Sequence, residues 1–270
     1  MPPPKLTRAL SSEDVETLNQ AKQLEALANH LVHSGPYKSM PCHRRIRVLF
    51  AGHWIANTQS AIYIWERSPG NYPFLYIPRD DISAQLDPLL KHDGFELLAL
   101  SIEDCTAMIP PVLAFDKSLQ SDLAGLVKIQ FGAAEWFVED EPIYVHPKDP
   151  FKRIDIYSAH CRPLKVSLQD ATLADSPGCV LLEETGLPTR YYVPKTTCNW
   201  KVLGESSQKL RTKCPYKGEA QYYDAVLPQG QRVNNVAWWY QSPTKESLEI
   251  AGLVCFYPGL VDIEFDGKSV

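Results

Sequence analysis

The fold this sequence predicts is mainly β: two fused, homologous small modules of β-barrel or tent type behind an N-terminal α-helix. Three observations carry the prediction. One series of strand-like segments occurs twice in the same order. Proline is abundant, 22 residues against 14 glycines, and proline is kept out of helix interiors and central strands. From Arg45 onward the apolar pattern alternates with a period of two and is rich in β-branched and aromatic residues, as half-buried strands require.

Residues 1–10 read as a lead, and the segment from Ser11 to Gly35 reads as the helix. Ser11 or Ser12 is placed to cap it, and Glu13 and Asp14 favour the positive end of its dipole. Val15, Leu18, Ala21, Leu24, Ala28 and Leu31 recur at three to four residues and form one apolar stripe. Gly35-Pro36 stops it. The strands that follow are RIRVLF, AIYIWE, FLYIP, GLVKIQF and PIYVH in the first half. PLKVSL, CVLLEE, RYYVP, AQYYDAVL, NVAWWY and LVDIEF follow in the second.

The repeat is anchored by Ile55–Glu66, which matches Leu173–Glu184 at a spacing of 118 positions. Arg47-Val48 before it matches Lys165-Val166. Phe74–Arg79 after it matches Arg190–Lys195. Further on, Glu135-Trp-Phe resembles Ala237-Trp-Trp-Tyr. Such a period is too long for a solenoid, so the chain divides into residues 1–42 (lead and helix), 43–150 (first β module) and 151–270 (second). Residues 89–122 have no counterpart of similar length and read as an insertion in the first module, a common place for function.

Composition narrows the function. The formal net charge is −5 and the isoelectric point is near 5.8, which argues against nucleic acid as a partner. No apolar run approaches a membrane span, and the first residues have no signal-peptide pattern. Seven scattered cysteines with no CxxC pair fit reduced thiols in a cytoplasmic protein. Nucleotide, zinc-protease and hydrolase signatures (Walker loop, GxGxxG before a helix, HExxH, GxSxG) are missing. No cofactor or metal is expected. Asp262, Glu264 and Asp266 alternate along one strand and read as a solvated face rather than a cation site.

The remaining candidates are polar groups among aromatics. Lys217 follows a Cys-Pro-Tyr turn, where a lysine against aromatic surface can hold an anion or enolate; it is equally a surface lysine whose stem covers apolar atoms. Tyr216 and Tyr222 are suited to donate to a developing oxyanion, or to pack with a satisfied hydroxyl. His160 at the module junction is a candidate acid near neutral pH, or a structural hydrogen-bonding histidine. Trp238 and Trp239 are consecutive and so face opposite sides of a strand, whereas Tyr63 and Trp65 share one face. With Tyr76 they suggest an aromatic slot between modules, or an ordinary core. Arg79 and Arg190 flank the repeated proline strands and are suited to an acidic oxygen or to a rim salt bridge.

The second half also carries Thr212-Lys-Cys-Pro-Tyr-Lys-Gly218, then Gln221-Tyr-Tyr, Asn235-Val-Ala-Trp-Trp-Tyr240, Ile250-Ala-Gly, Phe256-Tyr257 and Val261-Asp-Ile. This series resembles the family catalogued as domain of unknown function 427, over roughly residues 43–268, with the first half a diverged copy lacking the CPYKG string. The resemblance implies a compact β fold used twice and at most one complete site. Such tandem β proteins are similar to fungal enzymes of tropolone–sesquiterpene biosynthesis. These cofactor-free enzymes dehydrate a benzylic alcohol to a quinone methide and guide its hetero-Diels–Alder addition to a terpene alkene.

The expectation is therefore a cofactor-independent dehydratase and cyclase acting on a hydrophobic aromatic or terpenoid small molecule. Lys217, Tyr216 and His160 are its catalytic candidates. Trp65, Tyr63, Tyr76, Arg79, Arg190, Tyr222, Trp238 and Trp239 are its binding candidates. A non-catalytic binding or scaffold protein and a nucleotide- or metal-dependent transferase are the alternatives. A homodimer is compatible with exposed edge strands.

Overall fold

The computed structural model describes residues 12–67, 72–102, 105 and 109–270. Contacts divide it into two compact units, Met1–Pro147 and Lys148–Val270. Each has one larger and one smaller antiparallel sheet.

The first unit opens with helix α1 (Ser12–Ser34). Gly35, at φ +72°, ends it and donates its N–H to the Leu31 carbonyl, a turn that suits glycine because it has no Cβ. The expected cap at Ser11 or Ser12, Glu13, Asp14 and the stripe positions Val15 and Leu18 lie outside the residues whose side chains are described. The strands are β1 (Lys38–Pro41), β2 (Ile46–Phe50), β3 (His53–Thr58), β4 (Ile62–Trp65), β5 (Phe74–Pro78), β6 (Gln85–Lys91), β7 (Phe95–Ser101), β8 (Ile109–Phe115), β9 (Leu126–Lys128), β10 (Glu135–Val138) and β11 (Glu141–Ile143). They form the orders β1-β4-β5-β9-β8-β7-β6 and β11-β10-β2-β3.

The second unit contains β12 (Ile154–Ala159), β13 (Leu164–Leu168), β14 (Ala171–Ser176), β15 (Cys179–Glu184), β16 (Arg190–Val193), β17 (Leu203–Glu205), β18 (Arg211–Cys214), β19 (Gly218–Val226), β20 (Arg232–Tyr240), β21 (Val254–Phe256), β22 (Asp262–Phe265) and β23 (Lys268–Ser269). Their orders are β12-β15-β16-β21-β20-β19-β17, with β18 also on β19, and β14-β13-β22-β23.

The two sets of orders superpose strand for strand. Even irregularities recur: a bulge lies between Val48 and Leu49 against β3, and another between Val166 and Ser167 against β14. Single bridges join Ala56 to Ile82 and Ala174 to Cys198. The sheets are open, so the tent-like form, not the closed barrel, is the one adopted.

Two details of the repeat need correction. Residues 89–122 are not an extra piece: much of the stretch forms β6, β7 and β8, which hold the sheet positions of β17, β19 and β20. Likewise Glu135-Trp-Phe sits in β10, whose partner is β2, so its counterpart is β22 and not the Trp238 strand.

In each unit the two sheets enclose one core. Ile46, Val48, Tyr63, Trp65, Leu98, Val112 and Trp136 fill the first. Leu164, Val166, Val193, Tyr223, Ala225, Val236 and Phe256 fill the second. The outer face of the larger sheet is handled differently in the two units. In the first, Leu24, Leu27, Ala28 and Leu31 of α1 cover it, packing on Ile64, Tyr76, Phe95, Leu97, Leu113 and Phe115. In the second, the same face carries Tyr192, Tyr222, Trp238 and Tyr240 around Val180 and Leu182, with Ile250 and Leu253 packed at one side.

Candidate functional site

An open pocket of about 490 Å³ lies on that second-unit face, lined by Leu210, Thr212, Tyr222, Asn234, Asn235, Tyr257, Gly259 and Leu260. Strand geometry assembles it. Tyr222 pairs with Trp238 across β19 and β20, and Trp238 pairs with Cys255 across β20 and β21. Their side chains share one face because directly opposed residues project the same way. Tyr257, two residues beyond Cys255, joins them, its ring 4.4 Å from that of Trp238.

The polar lining is made by a bulge. Between Tyr223 and Ala225 the register with β20 shifts, so that three residues, Asn234 to Val236, stand opposite Asp224. Bulges re-aim side chains at the cost of ladder bonds. Asn235 is left-handed, at φ +53°. The fully buried Asp224 carboxylate holds it there, accepting from the Asn235 N–H at 2.8 Å. Asp224 also accepts from the Ser207 N–H and hydroxyl and from Arg232. Burial alone would raise the Asp224 pKa, but these donors hold it below the ordinary range. In the first unit the register also shifts at this place, but only two residues, Pro110-Pro111, stand opposite Ala99, and neither a carboxylate nor an amide is there.

The pocket's hydrogen-bonding groups are uncharged. The Thr212 and Tyr222 hydroxyls lie 2.7 Å apart. Burial and hydrogen bonding with Tyr222 push the Tyr257 pKa up to about 12, so it is a protonated donor at neutral pH.

The CPYKG string has a different place. Gly218 takes φ +95° and any Cβ there would crowd the Ser242 carbonyl, so the turn requires glycine. Thr244 and Ser247 hydroxyls donate to the Tyr216 carbonyl. The Tyr216 hydroxyl accepts from the Asp149 N–H, and burial drives its pKa above the tyrosine range. Lys217 forms an ion pair with buried Glu184, as Lys152 does at 2.6 Å. The first unit has the matching carboxylate, Glu66, paired with Lys128 and accepting from Tyr76. Lys217 and Tyr216 are thus engaged in holding a turn.

The other sequence candidates fall into three groups. Tyr222, Trp238 and Arg190 share the pocket face. Trp239 points into the opposite face, stacked on Tyr223, with the Lys195 ammonium 2.9 Å from its ring centre. Tyr63, Trp65 and Tyr76 are buried at 9%, 4% and 0% exposure. The first two face the inner core and Tyr76 the helix, so they pack rather than line a surface. Arg79 pairs with Glu96. His160 is exposed on a turn next to the Ala159–Cys179 pair, five residues of strand, roughly 16 Å, from Glu184. Asp262 and Glu264 are exposed on β22, but Asp266 turns away to pair with Arg162. Sequence reading passed over Tyr257, Asn234, Asn235 and Asp224. An acid inside AQYYDAVL and paired asparagines inside a strand were the available signals.

A family model described as Domain of unknown function (DUF427) matches residues 38–93 and 156–267. The chain belongs to this family. The second match runs from β12 to β22 and takes in the strands that build the pocket, whereas the first stops before β7. No curated protein matches the chain. Among the described residues no helix is long and apolar enough to cross a membrane.

Proposed function

We propose that the second module is the working half of a cofactor-independent small-molecule enzyme, which dehydrates a benzylic alcohol on a hydrophobic aromatic molecule and guides the resulting quinone methide into cycloaddition with a terpene alkene. The observation that carries this reading is the pocket itself: aromatic and leucine walls with neutral hydroxyl and amide groups, on the face that the first module fills with α1. Such a lining suits an apolar molecule bearing a few oxygens.

Tyr257 protonates the departing hydroxyl as the benzylic C–O bond breaks and water leaves. The ring hydroxyl of the substrate returns a proton to Tyr257, giving a neutral quinone methide with no change of oxidation state. Trp238 and Tyr222 then hold its plane while the alkene closes one C–C and one C–O bond. Fixing two reactants in this way lowers the barrier by removing translational and rotational freedom. The Thr212–Tyr222 hydrogen bond, in which two pocket hydroxyls satisfy one another, favours a second reading, binding without turnover.

Incubation with a hydroxymethyl tropolone and humulene separates the two. The enzyme reading expects faster product formation and one stereoisomer in excess, with a loss on the order of a hundredfold in Tyr257→Phe. A product ratio equal to that in buffer contradicts it.

A further inference from the structure

Arg190 opens β16, and continuing the Tyr192–Cys255 register places it opposite Tyr257. Its guanidinium carbon lies 5.7 Å from the centre of the Trp238 ring. Its charge acts on Tyr192, Cys255 and Tyr257, which all belong to the pocket face. Arg45, Arg47, Arg79, Arg153, Arg162, Arg211 and Arg232 each have a carboxylate partner. Arg190 is half-buried and has none among the described residues, whereas Arg44 and Arg67, also without one, are exposed.

A half-buried cation without a counter-ion is costly unless something supplies the charge. The duplication shows that the fold does not require it. The equivalent position in the first module is Phe74, opposite Ile64 as Arg190 is opposite Leu182, and Phe74 packs in the cluster under α1. The cation therefore goes with the open face.

We infer that Arg190 is the specificity-determining residue of this site, and that its ligand is a planar ring bearing an acidic oxygen, with the guanidinium taking the anion in a fork while the ring lies against Tyr222 and Tyr257 of the pocket wall. A guanidinium presents paired donors in one plane and is suited to two adjacent oxygens, as in a carboxylate or a deprotonated α-hydroxyketone. The inference rests on the reading of the second module as a ligand site and adds to it the charge of the ligand.

The test is calorimetric titration of the full chain at pH 8 with tropolone and benzoate as planar anions, and with tropolone methyl ether and methyl benzoate as neutral counterparts. The expected result is binding of an anion about tenfold or more tighter than of its neutral counterpart. Arg190→Gln removes that preference and leaves the neutral affinity unchanged, while Arg190→Lys keeps part of it and the parent melting temperature. Tropolone and benzoate distinguish an enolate-type oxygen from a carboxylate. Equal binding of anion and neutral counterpart, or an unchanged preference in Arg190→Gln, overturns the inference but leaves the site reading intact. Failure of all four probes to bind overturns both.

Discussion

The Asn235 N–H donates to the Asp224 carboxylate at 2.8 Å, across the bulge that joins β19 to β20. This contact links the core to the pocket, because Asp224 is fully buried while Asn235 lines the open face. Asp224→Ala leaves the Asn235 and Ser207 N–H groups and Arg232 without their acceptor. The expected cost is about 3 kcal/mol, read as a lower urea midpoint. Ligand affinity falls further than stability explains, because the Asn235 N–H loses the acceptor that ties the bulge to the core, and Asn235 is then held only through its side chain, by Ser206 and Gln208.

Stability should fall toward acid pH. Glu184, Asp224 and Glu246 all have pKa values lowered in the folded state, because hydrogen bonds from their partners outweigh burial. A lowered carboxyl pKa gives stability that is complete above the unfolded value, near 4.5 for glutamate, and is lost as pH drops through the folded value. Urea midpoints should therefore be flat near neutrality and decline below about pH 5, less steeply in Glu184→Gln. Above pH 10 the direction reverses for tyrosine: Tyr223 and Tyr257, raised to about 12, keep protons the unfolded chain loses, so stability falls. Lys128, whose pKa burial lowers, opposes that alkaline decline.

Lys217 offers a direct contrast between holding and reacting. Lys217→Met removes one cation from Glu184 and leaves Lys152. The expected loss is about 2 kcal/mol of stability, since one partner of a buried pair remains. Ligand affinity, measured well below the melting temperature, stays within about threefold, as a loss of under 1 kcal/mol corresponds to that factor. Pairing the change with Glu184→Gln should restore part of the stability, which thermal melts of the two single and one double variant will show.

Much of this fold was legible in the sequence. The helix, the strands RIRVLF, AIYIWE and CVLLEE and the duplication all follow from period and propensity, which are local properties. The hairpin of β7 and β8 escaped because IPPVLAF and RVNNVAWWY share a place in the sheet but almost no residues. The site was half legible. Tyr222, Trp238 and Arg190 stood out as aromatics and a cation on strands. Tyr257 and the asparagine bulge depend on which strands become neighbours, and Lys217 looked available because its counter-ion, Glu184, lies 33 positions away.

Leu31→Ala tests the difference between the modules. Leu31 is 1% exposed within the cluster that covers the first large sheet, so truncation should cost about 3 kcal/mol. Chemical denaturation will show that loss, while tropolone affinity at the second module should be unchanged.

The most direct test of the central claim is the stoichiometry and location of binding. Calorimetric titration of tropolone should give one site per chain, because α1 fills the equivalent face of the first module. Leu260→Trp, which fills the pocket at an exposed position without altering charge, should abolish that binding and leave the melting temperature in place. Two sites per chain, or undiminished binding in Leu260→Trp, would contradict the account.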